Sequence, residues 1–145
     1  MNTESLRGGE AMTLKQLNEL RDMHFHIKRL KRRISEMESA VYPQSVRTDK
    51  IVTSGGAPSN AIERTVENTE RYKSELMNLK AEYESRVREV ESEIYALEDE
   101  HIKAILLSRF ADAHSWARVA SDLGGNNTAE SVRKACVRYF IQNAQ

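Results

Sequence analysis

The sequence predicts an all-α protein: a long antiparallel coiled-coil hairpin followed by a small C-terminal helix-turn-helix bundle. Three observations carry this. Apolar residues recur at 4-3 spacing over two long stretches; only 2 Pro and 6 Gly interrupt 145 residues; and the last third of the chain becomes densely apolar in short runs. Hydrophobic residues make up 39% and charged residues 30%, a balance that favours long, partly exposed helices over a β-rich core.

Residues 1–12 read as a loose polar tail. From Thr13 the apolar positions fall into heptads, with Leu20, Ile27, Ile34 and Val41 at one position and Met23, Leu30 and Met37 three residues later. Thr13 can cap this helix, with Gln16 three residues on closing a capping box. The first coiled-coil helix is expected over 13–42, ending before Pro43, which disfavours helical geometry in the residue it follows. Residues 43–60 form a linker punctuated by Gly, Pro, Ser and Thr. Its TSGGAPSN stretch lacks the Gly-Lys-Ser/Thr ending of a phosphate loop, so a connector is expected. Asn60 is then a candidate cap for the second helix, with Glu63 at the third position.

That second helix is expected over 61–100, since no Gly or Pro interrupts residues 61–107. Its seam reads Ile62, Val66, Thr69, Lys73, Leu76, Lys80, Tyr83, Val87, Val90, Ile94, Leu97 and His101; some positions are polar, so the seam is imperfect, and His101 reads as a polar interruption that sets register. Forty helical residues span roughly 60 Å. The linker allows the two helices to fold back on each other, and each stripe could equally pair with a second chain, giving a homodimer.

Residues 101–145 form the third part, read as three helices. The first, about 99–111, buries Ile102, Ile105, Leu106 and Phe110. Ser115 suits the cap of the second, WARVASDL, whose Trp116, Val119, Ala120 and Leu123 share one face. Ala120 is small where a following helix would cross closely, and Gly124 supplies the left-handed backbone that ends helices. Asn127 or Thr128 caps the third helix; with Asn127 as cap, Glu130 holds the reciprocal position. Its inner stripe is Ala129, Val132, Cys136, Tyr139 and Phe140. Its outer face carries Thr128, Ser131, Arg133, Lys134, Val137 and Arg138.

Short hydrogen-bonding side chains near a helix N-terminus, with cations beyond them, suit a helix laid in the major groove of double-stranded DNA. Asn126, Asn127, Thr128, Ser131 and Lys134 could meet base edges, and Arg133 and Arg138 could satisfy phosphates. The alternative for the same residues is a solvated basic face of an ordinary bundle.

Charge agrees with partners at the ends of the chain. Residues 13–40 hold 7 Lys+Arg against 4 Asp+Glu, residues 62–100 hold 6 against 12, and residues 101–145 hold 6 against 3. The net +0 therefore hides a +3, −6, +3 gradient, and a polyanion should avoid the middle. The cluster Lys28, Arg29, Lys31, Arg32 and Arg33 is a second candidate for phosphate contact, or else the exposed side of the first helix.

Nothing points to catalysis, a cofactor or a metal. His24 and His26 lie two residues apart and so on different faces of a helix, and Cys136 falls on an inner stripe with no neighbouring base. A single cysteine cannot form an intrachain disulfide, and no apolar run approaches the ~20 residues that span a membrane. A cytoplasmic protein without membrane partners is expected, and not an enzyme.

Residues 102–140 resemble the region-4-like helix-turn-helix of sigma factors. Arg109-Phe110, Ser115-Trp116, Val119-Ala120 and Leu123-Gly124 stand at the positions of that pattern. Two departures are the Gly125-Asn126-Asn127 extension of the turn and Arg118 in place of a frequent glutamate. With the heptad helix, the TDKIVTSG linker and the long second helix upstream, the chain is similar to phage late-gene transcriptional regulators of the ArpU/RinA type. The resemblance implies sequence-specific binding near a promoter and a contact with RNA polymerase. A rival expectation is a coiled-coil adaptor, or a phage-encoded inhibitor of a host protein, whose helix-turn-helix is only a structural head.

Overall fold

The computed structural model describes residues 12–41 and 59–143. Residues 1–11 of the expected tail, the expected helix end at Tyr42 and linker residues 43–58 lie outside the described residues. The protein is all-helical: α1 (Leu14–Val41), α2 (Ser59–Tyr95), α3 (Glu100–Leu106) running into a π-helical turn (Leu107–Ala111), α4 (Trp116–Leu123) and α5 (Ala129–Gln142). The long α1 and α2 form an antiparallel hairpin, followed by the small packed helices α3 to α5.

The caps explain most boundaries. The Thr13 hydroxyl accepts from the Gln16 amide at 3.1 Å and the Gln16 side chain accepts from the Thr13 amide at 3.0 Å, which is the expected capping box. Asn60 is not the residue before the helix, because α2 already begins at Ser59 and Asn60 sits inside its first turn. The expected run of helix through residue 100 breaks after Tyr95 without Gly or Pro. The amides of Ala96 and Leu97 tighten onto the carbonyls of Glu93 and Ile94. Asp99 then starts a new helix, its carboxylate accepting from His101 and Ile102 N–H at 3.0 and 3.1 Å. His101 is therefore an exposed residue of α3 and no seam position.

The chain forms two compact units, Phe25–Glu82, and Met1–His24 with Tyr83–Gln145. In the Phe25–Glu82 unit, α1 buries Ile27, Leu30 and Ile34 as the heptads require. On α2 the seam departs from the expected register: Lys73 and Lys80 are exposed, while Tyr72 and Leu79 are half-buried beside Leu76. A 3-4 seam through 69, 72, 76 and 79 keeps the same helical period while leaving both lysines in water, where the ammonium group is least costly. Lys73 instead reaches Glu38 at 2.6 Å across the hairpin. Thr69 is buried, and its hydroxyl donates to the Thr65 carbonyl at 2.7 Å, so its polar atom is satisfied.

The other unit holds the main core. Ile102, Ile105, Leu106, Phe110, Val119, Ala120, Val132 and Cys136 form one buried cluster that also includes Leu17 from α1 and Ile94 from α2, both 0% exposed. Met12, Leu14, Val90 and Leu97 pack around it. The core of the C-terminal bundle therefore draws on residues of both long helices. Some forty residues are too few to enclose a stable core, and the adjoining turns of α1 and α2 supply what is lacking. No helix among the described residues is long and apolar enough to cross a membrane.

Candidate nucleic-acid interface

The geometry of the site starts one element upstream, in the π-helical turn. There the Asp112 amide bonds to the Leu107 carbonyl five residues back. The widened turn places Phe110 in the core at 0% exposure and leaves its neighbour Arg109 over the indole of Trp116, 4.2 Å from the ring centroid. Phe110 meets the same indole edge-on, with centroids 6.3 Å apart and an interplanar angle of 89°. Trp116 is thus half-buried, fixed between a guanidinium and a phenyl ring.

The corner before α4 is held by cations. Arg109 donates to the His114 carbonyl at 3.1 Å and Arg21 of α1 donates to the same oxygen at 3.5 Å. Burial, with Arg21 nearby, pulls the Arg109 guanidinium down to about 10, which leaves it cationic at neutral pH. His114 Nδ1 faces the Ser108 hydroxyl at 3.1 Å. Ala113 takes φ 61°, a left-handed conformation unusual for a residue with a side chain. Ser115 caps α4 as expected, its hydroxyl accepting from the Arg118 amide at 3.1 Å. Val119 and Ala120 are buried beneath the crossing of α5, whereas Leu123 is only half-buried. Arg118 points outward and pairs with Asp122 at 3.1 Å along the helix.

Gly124 ends α4 with φ 74° and ψ −163°. This is more extreme than the left-handed helical geometry expected of it, and only glycine occupies that region readily. Gly125 follows with φ 64°. Thr128 is the cap of α5, and its reciprocal partner is Ser131: Thr128 Oγ1 accepts from the Ser131 amide at 3.0 Å, and Ser131 Oγ accepts from the Thr128 amide at 2.8 Å. Asn127 and Glu130 are thereby released from the capping roles open to them in the sequence. Asn127 instead turns back and donates to the Gly124 carbonyl at 2.8 Å, bracing the corner.

The α5 helix stands on Val132 and Cys136, both buried, with Tyr139 and Phe140 half-buried and stacked edge-to-face at 5.2 Å. Burial pushes the Cys136 thiol up to about 11, in keeping with an inert core residue. Of the expected DNA-facing residues, Asn126, Thr128, Ser131, Arg133, Lys134 and Arg138 are exposed, and Asn127 is half-buried. They do not present a bare cationic surface. Glu130 pairs with Arg133 at 2.6 Å and with Lys134 at 3.7 Å. The Arg133 hydrogen bond, with the Lys134 charge, holds the Glu130 carboxyl below the usual carboxylate range. Among the described residues, Arg138 is the exposed cation of α5 with no carboxylate within reach.

Sequence reasoning missed three of these positioning groups: Asp99, Ser131 as reciprocal cap, and Arg109 as a clamp on Trp116. The first two had a local signal, a short acceptor side chain directly before the helix start for Asp99 and three residues after the cap for Ser131. The third had none, since the stack depends on the π-turn. Among the described residues no group of three His, Cys, Asp or Glu side chains could hold a metal ion. No protein-family model, curated protein or solved structure matches the chain.

Proposed function

We propose that the protein is a sequence-specific DNA-binding transcriptional regulator of phage type, with α5 as the recognition helix in the major groove and α4 as its support. The observation that carries this reading is the exposed polar and cationic face of α5, set outward by the glycine corner and seated on Val132 and Cys136. Because Thr128 and Ser131 satisfy each other in the cap, base reading falls chiefly to Asn126 and Lys134. Arg133 and Arg138 meet phosphates, with Glu130 accepting from a cytosine amino group once Arg133 turns to the backbone. Pairing of two chains to match two half-sites, and a contact with RNA polymerase, belong to the same proposal. The function is binding, with no cofactor. One observation favours the adaptor alternative: Glu130 already neutralises part of the cationic face.

The test is binding of fluorescent duplexes, one selected from a random pool and one of arbitrary sequence, across a salt series. Lys134→Ala should weaken the selected duplex more than the arbitrary one. Arg138→Ala should weaken both and flatten the dependence of log affinity on log salt by about one unit. Equal affinity of wild type and both variants for the selected duplex, or no complex at low salt, would reject the reading.

A further inference from the structure

In the Phe25–Glu82 unit, a groove of about 480 Å³ runs beside the hairpin, with His26, Arg29, Arg32 and Arg33 of α1 on one side and Tyr72 and Glu75 of α2 on the other. Arg29, Arg32 and Arg33 line it, and with Lys28 and Lys31 they make five cations in six consecutive positions of α1. Their counterions are few. Arg32 and Arg33 share Glu36 at 4.0 and 3.7 Å, both loose pairs with highly exposed side chains. Lys28 lies 5.7 Å from the centre of the Phe25 ring on its own helix. Arg29 and Lys31 have no carboxylate within 4.0 Å among the described residues.

If this cluster served only to neutralise the acidic helix beside it, cross-hairpin pairs would link it to the carboxylates of α2. Such a pair does exist two turns along, where Lys73 meets Glu38 at 2.6 Å. None joins the 28–33 cluster to α2 among the described residues. With Glu36 and Glu75 also lining the groove, the five cations are only partly compensated and the cluster keeps a net positive charge in a chain whose formal net charge is +0.

We propose that this groove is a second binding site, one that grips the phosphodiester backbone of nucleic acid without reading its sequence. Three of the five cations are arginines, whose planar fork suits phosphate oxygens in two-point contacts. Arg29 and Arg33 stand one turn apart on one side of α1, a rise of about 6 Å, which spans about two phosphates along a strand. His26 and the Tyr72 hydroxyl border the same groove and can donate to adjacent oxygens. The site extends the proposed role of α5 but does not depend on it, since it lies on a different unit and requires no base contact.

The test uses the full chain and a labelled duplex of arbitrary sequence, titrated between 50 and 200 mM salt. An Arg29→Gln/Arg33→Gln variant is compared with wild type and with Arg138→Gln on α5. Loss of two phosphate contacts should make the salt slope shallower by about two units, so that affinity falls about 12-fold less across that interval than in wild type. Helical content and unfolding midpoint should be unchanged, because both side chains are exposed. An unchanged slope in the α1 variant overturns the proposal while leaving the α5 reading to its own test. A changed slope in the α1 variant with none in Arg138→Gln supports the groove and counts against α5. Absence of any wild-type complex at 50 mM salt overturns the groove. So does a wild-type dimer that the α1 variant converts to monomer without loss of duplex affinity, since the occupant would then be a second copy's acidic helix.

Discussion

Leu17 is 77 positions from Ile94 and 99 from Trp116 in the sequence, yet its side chain is fully buried in the same core as Ile94, Phe110 and Val132. Replacing it with alanine removes a buried isobutyl group from a site closed on several sides by rigid helices, where collapse around the void is limited. Substitutions of this kind cost about 2–5 kcal/mol, and the packed surroundings place Leu17→Ala near 3 kcal/mol. A folding unit of this size shifts its midpoint by about 4–8 °C per kcal/mol, so unfolding should occur roughly 12–24 °C lower. Trp116 is the only tryptophan in the chain, and it sits in the helix-turn-helix, so its fluorescence reports the bundle directly. Lys15→Ala and Glu19→Ala, exposed on the same helix, serve as controls and should stay within about 0.5 kcal/mol of wild type. If the Trp116 transition of Leu17→Ala coincides with that of wild type, the bundle folds without α1 and Leu17 is no part of its stabilising core.

Three further outcomes follow from the corners and the core. Gly124→Ala meets no atom within 4 Å, so its cost is purely that of the backbone at φ 74° and ψ −163°. About 1–3 kcal/mol of strain, less a smaller gain from restricting the unfolded chain, leaves a net loss of about 1–2 kcal/mol in urea unfolding; a neutral result would contradict the corner's geometry. Ala113→Gly should have the reverse sign to the usual alanine-to-glycine change: relief of left-handed strain matches or exceeds the entropy lost, whereas Ala117→Gly within α4 should lose about 1 kcal/mol. For Cys136 the folded thiol sits at about 11, above its ordinary value, so the fold favours the neutral form. Its contribution is complete below the unfolded thiol's range and is lost as pH rises through about 9 to 11. The stability difference between wild type and Cys136→Ala, followed across that window, should shrink as pH rises, and a constant difference would place the thiol in water.

Much of the candidate interface was legible from local chemistry. Ser115 before an apolar helix and Gly124 after it are signals that act within one turn, as is the alternation that separates Val132 and Cys136 from Arg133 and Lys134. These depend on neighbours three or four residues away, and so on the letters alone. Where two local solutions compete, the letters are not enough. Asn127 and Thr128 could each cap α5, and Thr128 prevails because Ser131 answers it while Asn127 is drawn back to the Gly124 carbonyl.

The α2 seam carries the same lesson over a longer range. Lys73 and Lys80 fit a 4-3 count as well as Tyr72 and Leu79 do, and the choice between them depends on which flank faces α1. The break after Tyr95 needed no helix breaker, only the Asp99 cap and an apolar cluster for Ile102, Ile105 and Leu106 to join. On its own, the sequence determined the helical class, the heptad face of α1, the caps at Thr13 and Ser115 and the inner stripe of α5, because periodicity and capping act over a few residues. Only the tertiary structure decided that Leu17 and Ile94 complete the C-terminal core, that Arg109 clamps Trp116, and that Glu130 restrains the cations of α5. Contacts between distant segments, and the choice among several partners within reach, are settled by packing geometry, which no local pattern encodes.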